Sequence, residues 1–292
     1  MPLLDDFEPI ARPSEPLAPH TWFQLGGAAE FFAEPRDADE LARLLRRCRE
    51  EELPVRLLGG GSNILVRDEG VPGVVIRLSA PEFSKIEVQG RRVTAGGGAK
   101  LGHVISSSVR EGLAGLETLV GIPGTIGGAL HGNAGSRGGD VGQWTSRAAI
   151  MTSSGEIIER ARDELVFAYR RSSLDELVIL FAEFHFDQED PDELTKRMQQ
   201  QWIVKKAGQP LAHQSAGCIF KNPRGMSAGM LIEQAGLKGT RVGGAEVSDR
   251  HANFIIAEPG ASSQDVLRLI EVVRSRVADR LAVDLELEIE IW

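Results

Sequence analysis

The segment from Gly121 to Gly142, GIPGTIGGALHGNAGSRGGDVG, constrains the fold of this chain more than any other feature. It shows neither the spacing of an amphipathic helix nor the alternation of a strand. Consecutive glycines leave backbone N–H groups uncovered, and such groups bind phosphate oxygens well. Irregular backbone of this length inside a compact domain is usually functional. We therefore predict an irregular ligand-binding segment here.

A second glycine loop, Gly59-Gly60-Gly61-Ser62-Asn63, lies between two apolar segments predicted as strands, Val55–Leu58 and Ile64–Val66. Taken alone, this loop is equally well a tight turn, because glycine often marks turns. Two such segments in one domain favour phosphate or flavin binding. The chain has no G-x-G-x-x-G that opens a helix after a strand and no G-x-x-x-x-G-K-[ST], so we do not expect a Rossmann dehydrogenase.

Helical and strand periodicities both occur along the chain, which predicts an α+β protein. Helices are predicted after Asp37, from Leu101 to Gly112 and after Ser262. The closing VDLELEIEIW alternates without exception and predicts a strand with one buried face. We expect residues 1–20 to be an extended lead-in and residues 21–189 to be a cofactor domain of two subdomains divided near residue 80. A polar connector, 190–206, would precede a substrate domain, 207–292.

Composition excludes several classes of partner. The 292 residues include 42% hydrophobic and 26% charged positions, which is typical of a globular protein of two or three domains. A net charge of -9 and the lack of a basic run make nucleic acid an unexpected partner. No apolar stretch approaches the roughly 20 residues that span a bilayer, and the first residues do not have the pattern of a signal peptide. We expect a cytoplasmic monomer that does not bind membranes.

Cys48 and Cys218 are the only cysteines, and they form no C-x-x-C motif, so we expect neither a disulfide framework nor a metal site. Three residues have both an ordinary and a functional interpretation. Arg170 is a surface cation or a two-point ligand for a carboxylate or phosphate. Cys218 is a small buried apolar residue, or it lies beside a ligand. Periodicity does not single out Glu288 from Glu286 and Glu290.

Several blocks of the sequence, in order along nearly the whole chain, resemble the UDP-N-acetylenolpyruvoylglucosamine reductases. They are LGGGSNILV (58–66), GIPGTIGGALHGNAG (121–135), AYRRS (168–172), QPLAHQSAGCIFKNP (209–223), LIEQAGLKG (231–239), GGAEVSDRHANF (243–254) and the closing LELEIEIW. The resemblance implies an FAD-binding unit of the vanillyl-alcohol-oxidase type followed by a substrate-binding domain. The chain resembles the shorter type of this family, which lacks a substrate-closing loop that carries a tyrosine.

The resemblance also implies an activity and the residues that perform it. The reaction would reduce UDP-N-acetylglucosamine enolpyruvate with NADPH through noncovalent FAD. Arg170 would hold the substrate carboxylate, Cys218 would donate the proton, and Glu288 would help to position the carboxylate and Arg170. The implied substrate-binding residues are Tyr169, Arg170, Lys206, Lys221, Asn222 and Glu233. The residues expected against FAD are Gly59, Gly60, Gly61, Ser62, Asn63, Gly121, Ile122, Pro123, Gly124, Thr125, Gly127, Gly128, Asn133, Ala134 and Gly135.

The chain departs from the family pattern at three positions. Cys218 replaces the usual serine proton donor, which keeps the role and changes the acidity of the group. Gln24 stands where a basic residue is common, and Ala257 stands where an asparagine is usual. Two other functions remain open from the residues. One is a flavin-dependent oxidase on the same unit, and the other is a nucleotide-sugar binding protein without flavin.

Overall fold

A computed structural model describes Phe7 and residues 10–136, 138–174 and 178–292. The described chain divides into two compact units. The first unit comprises residues up to Ser14, Glu30–Gly60 and Pro72–Ile203, and the second comprises Glu15–Ala29, Gly61–Val71 and Val204–Trp292. Two segments from the N-terminal part of the chain therefore belong to the same unit as the C-terminal part. These bounds differ from those expected for the cofactor and substrate domains, which were drawn as continuous stretches of chain.

Short strands dominate both units. The helices are α1 Ala38–Glu50, α2 Leu101–Arg110, α3 Ile126–His131, α4 Pro191–Gly208, α5 Ala228–Gln234 and α6 Ser263–Leu281. The strands are β1 Ala11–Pro16, β2 Ala28–Ala33, β3 Val55–Leu57, β4 Ile64–Leu65, β5 Val71–Ile76, β6 Ile86–Gln89, β7 Arg92–Gly96, β8 Leu113–Ala114, β9 Gly135–Ser136, β10 Gly139–Asp140, β11 Thr145–Met151, β12 Ile157–Ala161, β13 Phe167–Ala168, β14 Arg171–Ser172, β15 Val178–His185, β16 Asp187–Gln188, β17 Arg241–Val242, β18 Ala245–Val247, β19 Ile255–Ala257 and β20 Glu290–Ile291. Residues 11–16 of the expected lead-in thus form a strand.

One sheet has the strand order β1-β2-β5-β3, with β3 parallel to β5. Helix α1 begins as predicted, because the side chain of Asp37 accepts a hydrogen bond from the N–H of Glu40 at 2.8 Å. Its apolar face is buried, and it includes Leu44 and Cys48. In the same core lie Val74 and Ile76 of β5. Burial raises the pKa of the Cys48 thiol to about 11.

The larger sheet of the first unit is antiparallel, with the strand order β12-β11-β15-β7-β6. Strands β6 and β7 form a hairpin that turns after Gln89, and β11 and β12 form a second that turns near Ser154-Gly155. Helices α2 and α3 contribute buried residues to the same core as β7, β11 and β15. The glycine-dense segment is therefore tied to this sheet by its own helix.

The prediction that 121–142 lacks regular structure is wrong for Ile126–His131, which form α3, and for the short paired strands β9 and β10. Thr125 caps this helix by accepting a hydrogen bond from the N–H of Gly128 at 3.4 Å. Ile126, Ala129 and Leu130 are buried in the core of the first unit. Tertiary packing of these three residues outweighs the low helix propensity of Gly127 and Gly128.

The second unit contains the antiparallel sheet β17-β18-β19, helices α5 and α6, and the parallel pair β20-β4. Ser262 and Asp265 form the predicted capping box of α6. The predicted apolar face of α6 is buried, and its residues are Val266, Leu269, Ile270, Val273 and Val277. These side chains share one core with β18, β19 and Leu285.

The last ten residues form a continuous strand only in the prediction. Leu285 and Ile289 are buried as expected, but the regular strand is limited to Glu290–Ile291. The reason is a change of partner along the segment. Leu287 forms an isolated bridge with Phe220, whereas Glu290 and Ile291 pair with β4. Val283, Leu287 and Ile291, which the alternation also points inward, are half-buried.

None of the helices among the described residues has the length and apolarity needed to cross a membrane. No group of three or more His, Cys, Asp or Glu side chains in that part of the chain is arranged to hold a metal ion.

Candidate active site

The two glycine segments meet within the first unit. A Cβ built on Gly60 would lie 2.7 Å from the Cα of Gly124, and one built on Gly59 would lie 2.8 Å from the Oγ1 of Thr125. In the described part of the chain, the backbone N–H groups of Gly59 and Gly60 donate to no acceptor. Uncovered N–H groups beside a second close-packed glycine segment suit the pyrophosphate of a dinucleotide. These residues fit FAD.

The N-terminal turn of α3 is already hydrogen-bonded to the protein. Ile126 N–H donates to the carbonyl of Ala99 at 2.9 Å, and Gly127 N–H donates to that of Gly97 at 2.8 Å. Gly128 N–H donates to Thr125. The N–H groups of Gly127 and Gly128 are therefore bonded to the protein, and the role of these two residues in the segment is structural. The segment that accepts these bonds, residues 97–99, was not predicted as part of the site, although the glycine run Gly96–Gly98 is visible in the sequence.

Arg170 lies in a tight hairpin that is hydrogen-bonded to the second glycine segment. Strands β13 and β14 pair, and Tyr169 and Arg170 form the turn between them, with Arg170 at φ +56°. The guanidinium nitrogen Nη1 is 3.4 Å from the carbonyl oxygen of Gly135. The guanidinium carbon is 5.1 Å from the centroid of the Tyr169 ring. The structure thus brings Tyr169, Arg170 and Gly135 together.

Asn133 connects this hairpin to the glycine-dense segment. It is 2% exposed, its Nδ2 donates to the carbonyl of Ala168 at 2.9 Å, and its Oδ1 accepts from the N–H of Gly142 at 3.1 Å. A second connection comes from Ser172, whose hydroxyl donates to the carbonyl of His131 at 3.1 Å. The Asn133 carboxamide is therefore engaged with the backbone and has a structural role that its place in the motif did not reveal.

The remaining part of the first glycine loop belongs to the second unit, where it contacts the C-terminal segment. Asn63 Nδ2 donates to the carbonyl of Glu288 at 3.1 Å, and Glu290 N–H donates to the carbonyl of Asn63 at 2.9 Å. Gly61 has φ +64°, and a Cβ there would lie 2.1 Å from the carbonyl oxygen of His20, so only glycine fits. The loop holds the backbone of Glu288, a connection that no local pattern indicates.

Cys218 and Glu288 lie on neighbouring segments of the second unit. Cys218 forms an isolated bridge with Phe254, and the next residue, Ile219, accepts a hydrogen bond from the N–H of Glu288 at 2.8 Å. Both Cys218 and Glu288 are half-buried. Among the acids of the closing segment, Glu286 and Glu290 are exposed, and Glu288 is less so. Glu288 is thus the least exposed of the three acids that the periodicity did not distinguish.

The other predicted substrate residues also lie in the second unit. Lys221 follows the Cys218 segment, and its ammonium group pairs with Glu286. Asn222 Oδ1 accepts from the N–H of Ala228 at the start of α5, at 2.9 Å. Glu233, on α5, forms an ion pair of 2.8 Å with Lys238, and Lys206 is exposed near the end of α4. Lys221 and Glu233 thus have protein partners, and their contact with a substrate stays a prediction.

Gln24 and Ala257, the other two departures from the family pattern, are both hydrogen-bonded to Gln214. Gln214 Nε2 donates to the side-chain oxygen of Gln24 at 2.8 Å, and Ala257 N–H donates to the carbonyl of Gln214 at 2.9 Å. Gln24 has φ +54°, the left-handed region that is uncommon outside glycine.

Comparison with known proteins identifies the family. Residues 209–292 match the C-terminal domain of UDP-N-acetylenolpyruvoylglucosamine reductase, and residues 29–160 match an FAD binding domain. UDP-N-acetylenolpyruvoylglucosamine reductase 2 of Symbiobacterium thermophilum is 45% identical over 283 residues, covering 96% of this chain and 92% of that protein. The corresponding reductase of Heliobacterium modesticaldum is 41% identical, covering 98% of this chain and 92% of that protein.

A solved structure agrees with the sequence matches. The UDP-N-acetylenolpyruvylglucosamine reductase of Thermus caldophilus superposes with a TM-score of 0.82 at 38% identity, covering 97% of this chain and 99% of that chain. The α+β class, the FAD-binding domain and the family resemblance of the sequence blocks are all confirmed. This chain is an oxidoreductase that belongs to the UDP-N-acetylenolpyruvoylglucosamine reductase family.

Proposed function

We propose that the protein reduces UDP-N-acetylglucosamine enolpyruvate to UDP-N-acetylmuramate with NADPH, as a cytoplasmic step of peptidoglycan precursor synthesis. The reaction adds a hydride to the methylene carbon of the enolpyruvyl group and a proton to the neighbouring carbon, while NADPH is oxidised to NADP⁺. The full-length relatives named for this reductase support the assignment. The protein must therefore bind a carboxylate, supply a proton and hold FAD.

Gly59 and Gly60, with the segment Gly121–Thr125, would hold FAD through their backbone. When bound, FAD supplies the hydride-transfer chemistry. The protein contributes the close approach of its two glycine segments, where any side chain on Gly60 would collide with Gly124. Asn133 and Ser172 fasten the Arg170 hairpin to the same region, so the carboxylate-binding cation and the cofactor loops share one scaffold.

Arg170 would bind the substrate carboxylate and stabilise the negative charge that develops on it. A planar guanidinium offers two parallel N–H donors to a carboxylate. The Tyr169 ring and the Gly135 carbonyl restrict the guanidinium before substrate binds. Loss of a preorganised donor of this kind typically lowers the rate by about 10²- to 10³-fold.

Cys218 would donate the proton, and Glu288 would help to orient the carboxylate. A free thiol titrates near ~8.5, so at neutral pH it is mostly protonated and is a much stronger acid than a serine hydroxyl. The S–H bond breaks as the C–H bond forms, and solvent returns the proton to the thiolate. The observation that carries the proposal is the hydrogen bond from Glu288 N–H to the carbonyl of Ile219, the residue after Cys218. This bond joins the segment that carries Cys218 to the segment that carries Glu288.

An anaerobic absorbance titration tests the proposal. We expect a yellow protein whose flavin is released by acid precipitation, is bleached by NADPH, and regains its colour when the enolpyruvyl substrate is added. Recovery of colour with oxygen alone, at a rate that the substrate does not increase, would identify an oxidase. A colourless protein that binds the UDP-sugar would identify a binding protein without flavin.

A further inference from the structure

Asn253 is a buried asparagine whose polar groups are all bound to the protein. It is 3% exposed. Its Oδ1 accepts from the N–H of Phe220 at 3.0 Å, and its Nδ2 donates to the carbonyl of Phe220 at 2.8 Å. Its own carbonyl accepts from the N–H of Ile219 at 2.8 Å, and its N–H donates to Nδ1 of His251 at 3.3 Å. The carboxamide therefore imitates the paired bonds of a neighbouring strand.

The opposite side of the same segment is held by the C-terminal residues. Glu288 N–H donates to the carbonyl of Ile219 at 2.8 Å, and Lys221 N–H donates to the carbonyl of Glu286 at 2.8 Å. The side chains of Ile219 and Phe220 are 0% and 1% exposed. The two residues after Cys218 are thus fixed by hydrogen bonds on both sides and by packing.

The residue before Cys218 is not fixed by packing in the same way. Gly217 has φ +76°, and a Cβ built on it would meet no atom within 4 Å. The backbone at Cys218 is held by its bridge to Phe254 and by the residues that follow it. Of those residues, Phe220 has both its N–H and its carbonyl bonded to the Asn253 side chain.

We propose that Asn253 is a positioning residue that orients the Cys218 thiol for proton transfer, an inference that rests on the proposed function. Asn253 touches neither substrate nor cofactor in this assignment and acts only through Ile219 and Phe220. A misplacement of about 1 Å at a reacting group typically costs about 10²-fold in rate. Loss of the Asn253 carboxamide should therefore slow the step that needs the proton and leave flavin reduction by NADPH unchanged.

Two variants and one control test this assignment. Asn253→Asp keeps the size and one acceptor but places an oxygen against the Phe220 carbonyl, and Asn253→Ala removes both bonds. Ser263→Ala is the matched control, because Ser263 is 2% exposed and its Oγ accepts from the N–H of Asp68 at 2.9 Å in the same unit. The control loses a part-buried hydrogen bond of similar length without touching the Cys218 segment.

Stopped-flow measurements should show reoxidation of the reduced enzyme by the enolpyruvyl substrate slowed by about 10²-fold in Asn253→Ala. Bleaching by NADPH should match the wild type. Asn253→Asp should be impaired at neutral pH and partly recover as pH falls, because a protonated acid again donates to the Phe220 carbonyl. Ser263→Ala should have a lower Tm and wild-type rates in both steps.

The alkylation rate of Cys218 by iodoacetamide gives a readout that does not depend on catalysis. Cys48 does not interfere, since it is buried and its thiol pKa is raised to about 11. The rate should change in both Asn253 variants and not in Ser263→Ala. Wild-type alkylation and reoxidation rates in the Asn253 variants would overturn the inference. So would failure of both variants to fold while the control folds. If the wild-type protein has no reductase activity while the Asn253 variants show an altered alkylation rate, the proposed function is refuted and the positioning of Cys218 by Asn253 stands.

Discussion

The close approach of Gly60 to Gly124 makes Gly60→Ala the most informative single substitution. Gly60 has no positive φ, so alanine is compatible with its backbone conformation. The obstacle is steric, because the new Cβ would lie 2.7 Å from the Cα of Gly124 and 3.4 Å from its C and N atoms. All three contacts are with backbone, which cannot rotate away as a flexible side chain would.

The size of the effect follows from this distance. Ordinary van der Waals contact begins at 3.4 Å, and 3.4 Å less 2.7 Å leaves 0.7 Å by which one glycine segment must move. Overpacking of this kind costs about 1–3 kcal/mol. If bound FAD requires the two segments to stay close, this energy raises the dissociation constant of FAD by roughly 5- to 150-fold.

Fluorescence titration of the flavin-free protein with FAD measures this change. Gly102→Ala is the control, because Gly102 is an exposed residue inside α2 and a Cβ there meets nothing within 4 Å. That substitution should stabilise the protein by about 0.5–1 kcal/mol and leave FAD binding unchanged. A wild-type FAD dissociation constant in Gly60→Ala would show that the cofactor does not depend on this approach.

Four further substitutions test other parts of the account. Arg170→Lys should lower kcat/KM by about 10²-fold, since an ammonium lacks the two-point geometry of guanidinium, and a value near wild type would make Arg170 an ordinary surface residue. Cys218→Ser should keep measurable activity and resist iodoacetamide, whereas Cys218→Ala should still be bleached by NADPH but stall with the enolpyruvyl substrate. Hydrogen bonds from Arg36 lower the pKa of Glu40 from 4.5 to about 2, so this pair stabilises the fold above pH 4.5 and less as pH falls towards 2. The Tm of Arg36→Gln should lie below that of wild type at pH 7 and converge with it in that acidic range.

Local patterns in the sequence predicted the elements whose stabilising contacts are close in sequence. The Asp37 cap of α1 and the Ser262–Asp265 capping box of α6 each join residues three apart. The buried face of α6 follows from the helical period alone. The resemblance of the glycine and SAGCIF blocks predicted the family, and the close approach of backbone explains why glycine is needed at particular positions of the glycine blocks.

Tertiary structure decided which of these residues meet. α3 forms in a glycine-rich segment because Ile126, Ala129 and Leu130 enter the first core. Glu288 is less exposed than Glu286 and Glu290, and its backbone is bonded to Ile219 and to Asn63. The bond to Ile219 joins residues 69 positions apart, and the bond to Asn63 joins residues 225 positions apart. No local spacing encodes a hydrogen bond over that range, because its partner is chosen by how the whole unit packs.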